Sequence, residues 1–159
     1  MQDISLHILD IVENSIRALA SRIKIKIEEN MEKDWLTLEI EDNGQGMDEV
    51  TKNKVLDPFF TTKATRRVGL GLPLLYQAAR ETGGKLEISS QAGKKTRIRA
   101  TFRYSHPDRK PLGNIEETLL VLAAGYPEVD FLYEHRTGNR VYRWDSKKIK
   151  DKNDDRSDH

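Results

Sequence analysis

Apolar and polar residues alternate from Leu36 to Glu41, and the run then enters Asp42-Asn43-Gly44-Gln45-Gly46-Met47. A period of two is the mark of a half-buried strand. No other stretch constrains the fold as tightly, because it joins a strand end, a carboxylate and a loop with two glycines one residue apart. An Asp at that place can accept hydrogen bonds from an exocyclic amine, while the glycines let a planar ligand approach the backbone. Asp-Asn-Gly is also a common turn sequence. Taken alone the stretch specifies a turn, and the case for a site rests on what lies around it.

Upstream, residues 4 to 20 predict an amphipathic helix. Leu9, Val12, Ile16 and Leu19 recur at helical spacing, with Asp3 or Ser5 able to cap its start. His7, Asp10, Asn14 and Arg17 share a polar stripe of that helix, with Glu13 at its edge. A solvated face is one explanation of the stripe. Yet Asp and Asn one turn apart are poor helix formers. They suit a site in which a carboxylate handles a proton and an amide oxygen holds a hard cation such as Mg²⁺. Between helix and loop, Ile23 to Glu28 alternates again, so it and the Trp35–Glu41 strand are expected to form a hairpin.

Downstream of the loop, a short helix is expected over 48–56, capped by Asp48. Asp57-Pro58-Phe59-Phe60 then leads through a stretch rich in hydroxyls and cations, including Lys63, Arg66 and Arg67, to Gly69-Leu70-Gly71-Leu72-Pro73. Pro73 belongs in a first helical turn. Glycines before a helix N-terminus leave free N–H groups at the positive end of the dipole, where phosphate binds, and the basic residues add positive charge above it. A surface loop with ordinary basic residues fits the same letters. The helix runs to about Thr82, buries Leu72, Leu75 and Ala79, and ends at Gly83-Gly84. Leu86–Ser90 and Thr96–Arg103 read as two strands, the second with Ile98, Ala100 and Phe102 on one face and arginines on the other.

From Tyr104 the pattern changes. A polar connector with two prolines precedes a helix capped by Asn114 and Glu117 that ends near Ala124. Val129, Phe131 and Tyr133, then Tyr142 and Trp144, alternate around Thr137-Gly138-Asn139 and predict a second hairpin. It either extends the main sheet or shows an aromatic face to a partner. The expected organisation is a first unit over 1–104, a helix-plus-hairpin extension over 105–145 packed on it, and a disordered charged tail over 146–159.

The chain of 159 residues has no cysteine and 33% charged residues that nearly cancel, at net +1. That excludes disulfides and cysteine chemistry, and the missing basic surplus speaks against a nucleic-acid binder. No apolar run reaches membrane-spanning length and no signal-peptide pattern opens the chain. A soluble, cytoplasmic protein that does not engage membranes is the expectation.

Taken together and in order, these stretches resemble the ATPase superfamily of gyrase, Hsp90, histidine kinases and MutL, which has the Bergerat nucleotide-binding fold. Asp10-Ile11-Val12-Glu13-Asn14-Ser15 is similar to its N box, and Asp42-Asn43-Gly44-Gln45-Gly46-Met47 to its first glycine box. Phe59-Phe60 is similar to its F box, and Gly69-Leu70-Gly71-Leu72 to its second glycine box. Asn14-Ser15-Ile16-Arg17-Ala18 with Gly71-Leu72-Pro73 also resembles the mitochondrial protein kinases of that superfamily. The likeness covers about residues 3 to 103. It implies an α+β fold: a two-layer α/β sandwich whose mixed, mostly antiparallel sheet is covered by helices on one face.

The resemblance also implies roles. ATP and Mg²⁺ would be the ligands. Asn14 would hold Mg²⁺ against the phosphates. Asp42 would accept from the adenine amino group, with Gly44 and Gly46 giving the base room and Met47 and Thr96 beside it. Gly69, Leu70, Gly71 and Leu72 would meet the phosphates, and 59–68, with Phe60 and Lys63, would form the lid. The proton-handling or water-orienting group lies four positions before the asparagine, at Asp10.

The third glycine box is thin, with Gly93 present but Lys95 where a second glycine is common. No dimerisation helices or phosphoacceptor histidine precede the N box, and no motif covers 105–145. The expectation is therefore a separate histidine-kinase-like module that transfers phosphate to, or gates the binding of, a partner such as a sigma-factor antagonist or acceptor protein. A homodimer is compatible with it. The alternatives are an autonomous slow ATP hydrolase and a non-catalytic, ATP-gated binding module.

Overall fold

The computed structural model describes residues 3–46, 71–90 and 95–147. Its elements run α1 (Ile4–Arg17), β1 (Arg22–Asn30), β2 (Trp35–Asp42), α2 (Gly71–Glu81), β3 (Lys85–Ser90), β4 (Thr96–Arg103), α3 (Ile115–Gly125), β5 (Asp130–Thr137) and β6 (Arg140–Asp145). The strands form one six-stranded sheet in the order β3-β4-β2-β1-β5-β6. Every pairing is antiparallel except β1 with β5, so the sheet is mixed. The fold is α+β, as expected.

The strands form where alternation is strongest, and the alternation decides which face is covered. Ile23, Ile25 and Ile27 of β1, Leu36, Leu38 and Ile40 of β2, and Ile98, Ala100 and Phe102 of β4 are all buried. The helices pack on that face. Ile4, Ile8, Ile11 and Val12 of α1, Leu72, Leu75, Ala78 and Ala79 of α2, and Ile115, Leu119 and Leu122 of α3 complete one apolar core. The opposite face carries charge. Glu39 and Glu41 of β2 lie between Arg97 of β4 and Lys24 and Lys26 of β1, with ion pairs such as Glu39–Arg97 at 3.5 Å and Lys26–Glu134 at 3.6 Å.

Of the two placements the sequence left open for the second hairpin, it takes the first and extends the main sheet, with β5 parallel to β1 and Ile25 opposite Tyr133. One detail differs from the sequence reading: Ser146, assigned above to the disordered tail, is only 1% exposed. Its hydroxyl accepts a hydrogen bond from the Phe131 N–H at 2.8 Å and so closes the end of β6 against β5. Residues 148–159 lie outside the described residues, as do the helix expected over 48–56 and the lid over 59–68. Among the described residues no helix is long and apolar enough to cross a membrane.

Candidate nucleotide site

The site forms where the core face runs out of apolar side chains. On β2 the inward series Leu36, Leu38, Ile40 continues to Asp42, and on β4 the inward series Phe102, Ala100, Ile98 continues to Thr96. Asp42 and Thr96 are direct cross-strand neighbours, buried at 7% and 6% exposure. The buried face of α1 makes the same change, from Ile8, Ile11 and Val12 to Ser15. A cavity of about 230 Å³ opens there, with Asn14, Ser15, Asp42, Gly46, Leu72 and Thr96 in its wall and Ile11 and Ile98 as its apolar part.

Asp42 is fixed from two sides. Its Oδ2 accepts from the Ser15 hydroxyl at 2.6 Å, and its Oδ1 from the Gly44 N–H at 2.8 Å. Each oxygen keeps a further lone pair for a ligand. The Ser15 bond ties α1 to the end of β2 inside the cavity wall. Thr96 Oγ1 lies 2.8 Å from Ser90 Oγ.

The loop is anchored by residues that carry no ligand-binding role in the sequence reading. Asn43 Oδ1 accepts from the N–H groups of Ser21 and Arg22, both at 2.9 Å, and its Nδ2 donates to Ser21 Oγ at 2.9 Å. Gln45 N–H donates to the Ala18 carbonyl at 2.9 Å. A Cβ on Gly44 would lie 2.7 Å from that same Ala18 oxygen, so this glycine is required by the approach of α1 itself. Gly46 has a φ of 74°, a conformation that L side chains adopt at a cost.

Asn14 and Arg17 face the same cavity. Arg17 Nη1 donates to Asn14 Oδ1 at 3.0 Å, and its Nη2 lies 3.8 Å from Glu13 Oε2. The Asn14 Nδ2 is buried without a partner among the described residues. No cluster of three or more metal-ligating side chains occurs among them. That donor set does not build an all-protein metal cage. It does fit Mg²⁺, which commonly takes one or two protein oxygens and fills its shell with substrate phosphates and water. Asn14 Oδ1 would be the protein oxygen once Arg17 lets it go.

Leu72, in the first turn of α2, sets that helix's N-terminus, the positive end of its dipole, beside the cavity. Gly71 is its first residue.

The structure thus brings Asn14, Asp42, Gly46, Leu72 and Thr96 together, with Gly44 directly behind and Gly71 adjacent. Asp10 stands half-buried one turn before Asn14 and is not in the cavity wall. Met47, Phe60, Lys63, Gly69 and Leu70 lie outside the described residues. Sequence reasoning missed Ser15 and Asn43 as positioning groups. A polar residue on the apolar stripe of a helix was the available signal for Ser15; Asn43 gave none beyond its turn-forming habit. His7, grouped with the polar stripe, is only 3% exposed. Burial lowers its pKa below the ordinary 6.5 and Lys110 adds to this, while Asp10 and Asp3 pull it back.

Residues 2–106 match the family described as histidine kinase-, DNA gyrase B- and HSP90-like ATPases. The chain belongs to that family, and its 2–106 segment is an ATP-binding domain of it. Among its relatives is a putative sensor protein of Shewanella frigidimarina, 32% identical over 103 residues, covering 64% of this chain and 16% of the relative. Another is the signal transduction histidine-protein kinase AtoS of Escherichia coli, 38% identical over 87 residues, covering 54% of this chain and 14% of the kinase. A third is the sensor protein kinase FleS of Pseudomonas aeruginosa, 39% identical over 89 residues, covering 56% of this chain and 22% of the kinase.

The chain therefore spans less than a quarter of the length of these curated relatives. The fold is similar to the Aquifex aeolicus MutL ATPase domain complexed with ADP, at TM-score 0.52 and 17% identity, covering 89% of this chain and 62% of that one. The N-terminal domain of a DNA repair protein is similar at TM-score 0.55 and 15% identity, covering 89% and 52%.

Proposed function

We propose that this chain is an ATP–Mg²⁺-binding module of histidine-kinase type that acts as a separate regulatory protein on a partner protein, by phosphoryl transfer or ATP-gated binding. The observation that carries the reading is the buried Asp42, held by Ser15 and Gly44 in the wall of a cavity of about 230 Å³ that it shares with Asn14. Asp42 presents fixed acceptors to the exocyclic amine of adenine. Ile11, Leu72 and Ile98 supply apolar contact for the base. The N-terminus of α2 receives phosphate oxygens, and Arg17 exchanges its bond to Asn14 for the same negative charge. Mg²⁺, when bound with the nucleotide, neutralises charge on the phosphates, and Asn14 is the residue that would hold it.

Catalysis of phosphoryl transfer rests mainly on positioning and charge stabilisation. In that chemistry Asp10 orients an acceptor hydroxyl or a water. Relatives named as sensor and histidine-protein kinases support an acceptor on a partner protein. A second reading, in which ATP gates a partner surface without being consumed, is favoured by the position of Asp10 outside the cavity wall.

The experiment that tests the site is ADP release from Mg–ATP by the purified chain, beside an Asp10→Asn variant. Turnover that is lost in the variant supports an ATPase or kinase with Asp10 as its base. Nucleotide binding with no turnover points to a missing partner protein, either a phosphoacceptor or the surface that ATP gates. No binding of Mg–ATP would sink both.

A further inference from the structure

β6 is the last strand of the sheet, and no strand among the described residues pairs with its outer side. An open edge presents a row of unpaired N–H and C=O groups, which proteins ordinarily guard with a lysine, a proline or a bulge. β6 has none of the three, and its register with β5 runs unbroken from Arg140 to Asp145. The opposite edge strand, β3, opens with Lys85, ion-paired to Glu87 at 2.8 Å.

The hairpin decides which backbone groups face outward. Thr137 and Arg140 close a two-residue turn at Gly138-Asn139, and the closing pair of such a turn is hydrogen-bonded. Two-residue alternation extends that pairing to Phe131, whose N–H does point across the hairpin, to Ser146 Oγ. Arg140, Tyr142 and Trp144 therefore direct their backbone groups to β5. Those of Val141, Arg143 and Asp145 point to the free edge.

The side chains along this edge are in part apolar and open. Val141 and Tyr142 are 41% and 45% exposed. The Tyr142 hydroxyl donates to Glu116 Oε1 of α3 at 2.9 Å. Leu120, one turn beyond Glu116 and 44% exposed, lies on the same flank of that helix. Arg143 is turned back to Glu134 at 2.9 Å, whereas Arg140 has no ion pair or side-chain hydrogen bond among the described residues.

This strand is complementary to itself. Two copies related by a twofold axis set their β6 strands antiparallel, and residues that face each other share one side of the sheet. With the axis at Tyr142, that residue meets its own copy, Arg140 lies opposite Trp144 and Val141 opposite Arg143. The unpaired Arg140 cation then has an indole ring within reach, and the outward groups of Val141 and Arg143 form the hydrogen-bonded pairs. An axis at Arg143 would set two arginines against each other, which destabilises. An axis at Val141 would set Trp144 opposite Gly138 of the turn.

We propose that β6 is a self-association edge: two copies of this chain join β6 to β6 about a twofold axis at Tyr142, merging two six-stranded sheets into one. Leu120 of each α3 flanks the seam. β1 and β5 separate the seam from β2 and β4, which carry Asp42 and Thr96, so the association stands independently of the nucleotide reading.

The test is sedimentation equilibrium of the full chain over a series of concentrations, for the wild type and two substitutions of opposite charge. Val141→Lys sets a lysine opposite Arg143 at two places in the dimer and is expected to raise the dissociation constant roughly two- to thirtyfold, the effect of two like-charge pairs. Val141→Glu presents the opposite charge to the same arginines and is expected to lower it. The chain has no cysteine, so Tyr142→Cys introduces a single thiol. Facing Cα atoms of a non-hydrogen-bonded antiparallel pair lie about 4.5 Å apart, within disulfide reach, and mild oxidation is expected to link two chains. Circular dichroism checks that each variant is folded.

A wild type that stays monomeric at every concentration overturns the proposal. So does a dimer that Val141→Lys and Val141→Glu weaken alike, because an apolar contact without this register would respond that way. A Tyr142→Cys variant that dimerises but does not cross-link joins its copies elsewhere, and that also overturns it.

Discussion

At the scale of single residues, Ser15 decides how well Asp42 can serve. Its hydroxyl is the donor on Oδ2 at 2.6 Å, and both partners are buried. Ser15→Ala leaves that oxygen short of a partner in a confined space. The expected loss is about 1–3 kcal/mol of stability, read from chemical denaturation, with weaker ADP binding in the same variant. An unchanged denaturation midpoint and affinity would show that Gly44 alone holds the carboxylate.

Glu29 gives a second residue-scale test. Burial pushes its carboxyl up, but hydrogen bonds from His135, Thr137 and Tyr104, with the charge of His135, outweigh burial and leave it below its ordinary 4.5. A carboxylate depressed in the folded state stabilises above its unfolded value and loses that contribution as pH falls through the folded one. His7 acts on the same side. Its lowered folded value means that the unfolded chain binds the proton more readily below 6.5, so stability again falls with acid. Denaturation midpoints are expected to drop in two stages, first below pH 6.5 and then below pH 4.5. Glu29→Gln should shrink the lower stage only, the rest of which comes from Glu87 and Glu134, lowered by their bonds to Lys85 and Arg143.

At the scale of elements, α1 is the part that everything else must place correctly. Its last turns carry Asn14, Ser15 and Arg17 in the cavity, and its first turn is fastened by the Asp3 cap and the Pro111 and Leu112 carbonyls. Asp3→Ala is expected to cost about 1 kcal/mol, the usual value of an N-cap, with faster amide exchange in the first turn of α1. Exchange unchanged there would mean that the connector alone fastens the helix.

The elements were largely readable. β2 and β4 announce themselves by alternation, and Asn114 with Glu117 caps α3 as expected, the Glu117 N–H donating to Asn114 Oδ1 at 3.0 Å. The locking roles of Asn43 and Ser15 were not readable, because each depends on a partner distant in the chain, Ser21 and Asp42. The burial of His7 was hidden for the same reason. A polar stripe looks solvated until something is packed over it, and a single helix's letters do not say what that is.

At the scale of the molecule, one sheet face is apolar and covered and the other is a lattice of charges, which is why a single layer of helices suffices. The parallel pairing of β5 with β1 and the fully buried Phe131 draw 105–145 into the same core. We therefore expect a single unfolding transition. Phe131→Ala should shift all of it by about 3–5 kcal/mol, detected alike by tryptophan fluorescence and by far-ultraviolet circular dichroism. Two separated transitions would divide the molecule near Tyr104. The structural likeness to the MutL domain covers 89% of the chain, beyond the 2–106 segment matched by the family.

The account stands or falls on Asp42 as the group that reads adenine. The direct measurement is calorimetric titration of the purified chain with ADP in the presence of Mg²⁺, wild type beside Asp42→Asn. The wild type should bind, and the variant, which presents an amide where the amine needs an acceptor, should lose about 2–4 kcal/mol of binding free energy, since a buried polar group is then mismatched. The fold of the variant is checked by its circular dichroism. Equal affinity in a folded variant would contradict the assignment of this cavity to the nucleotide.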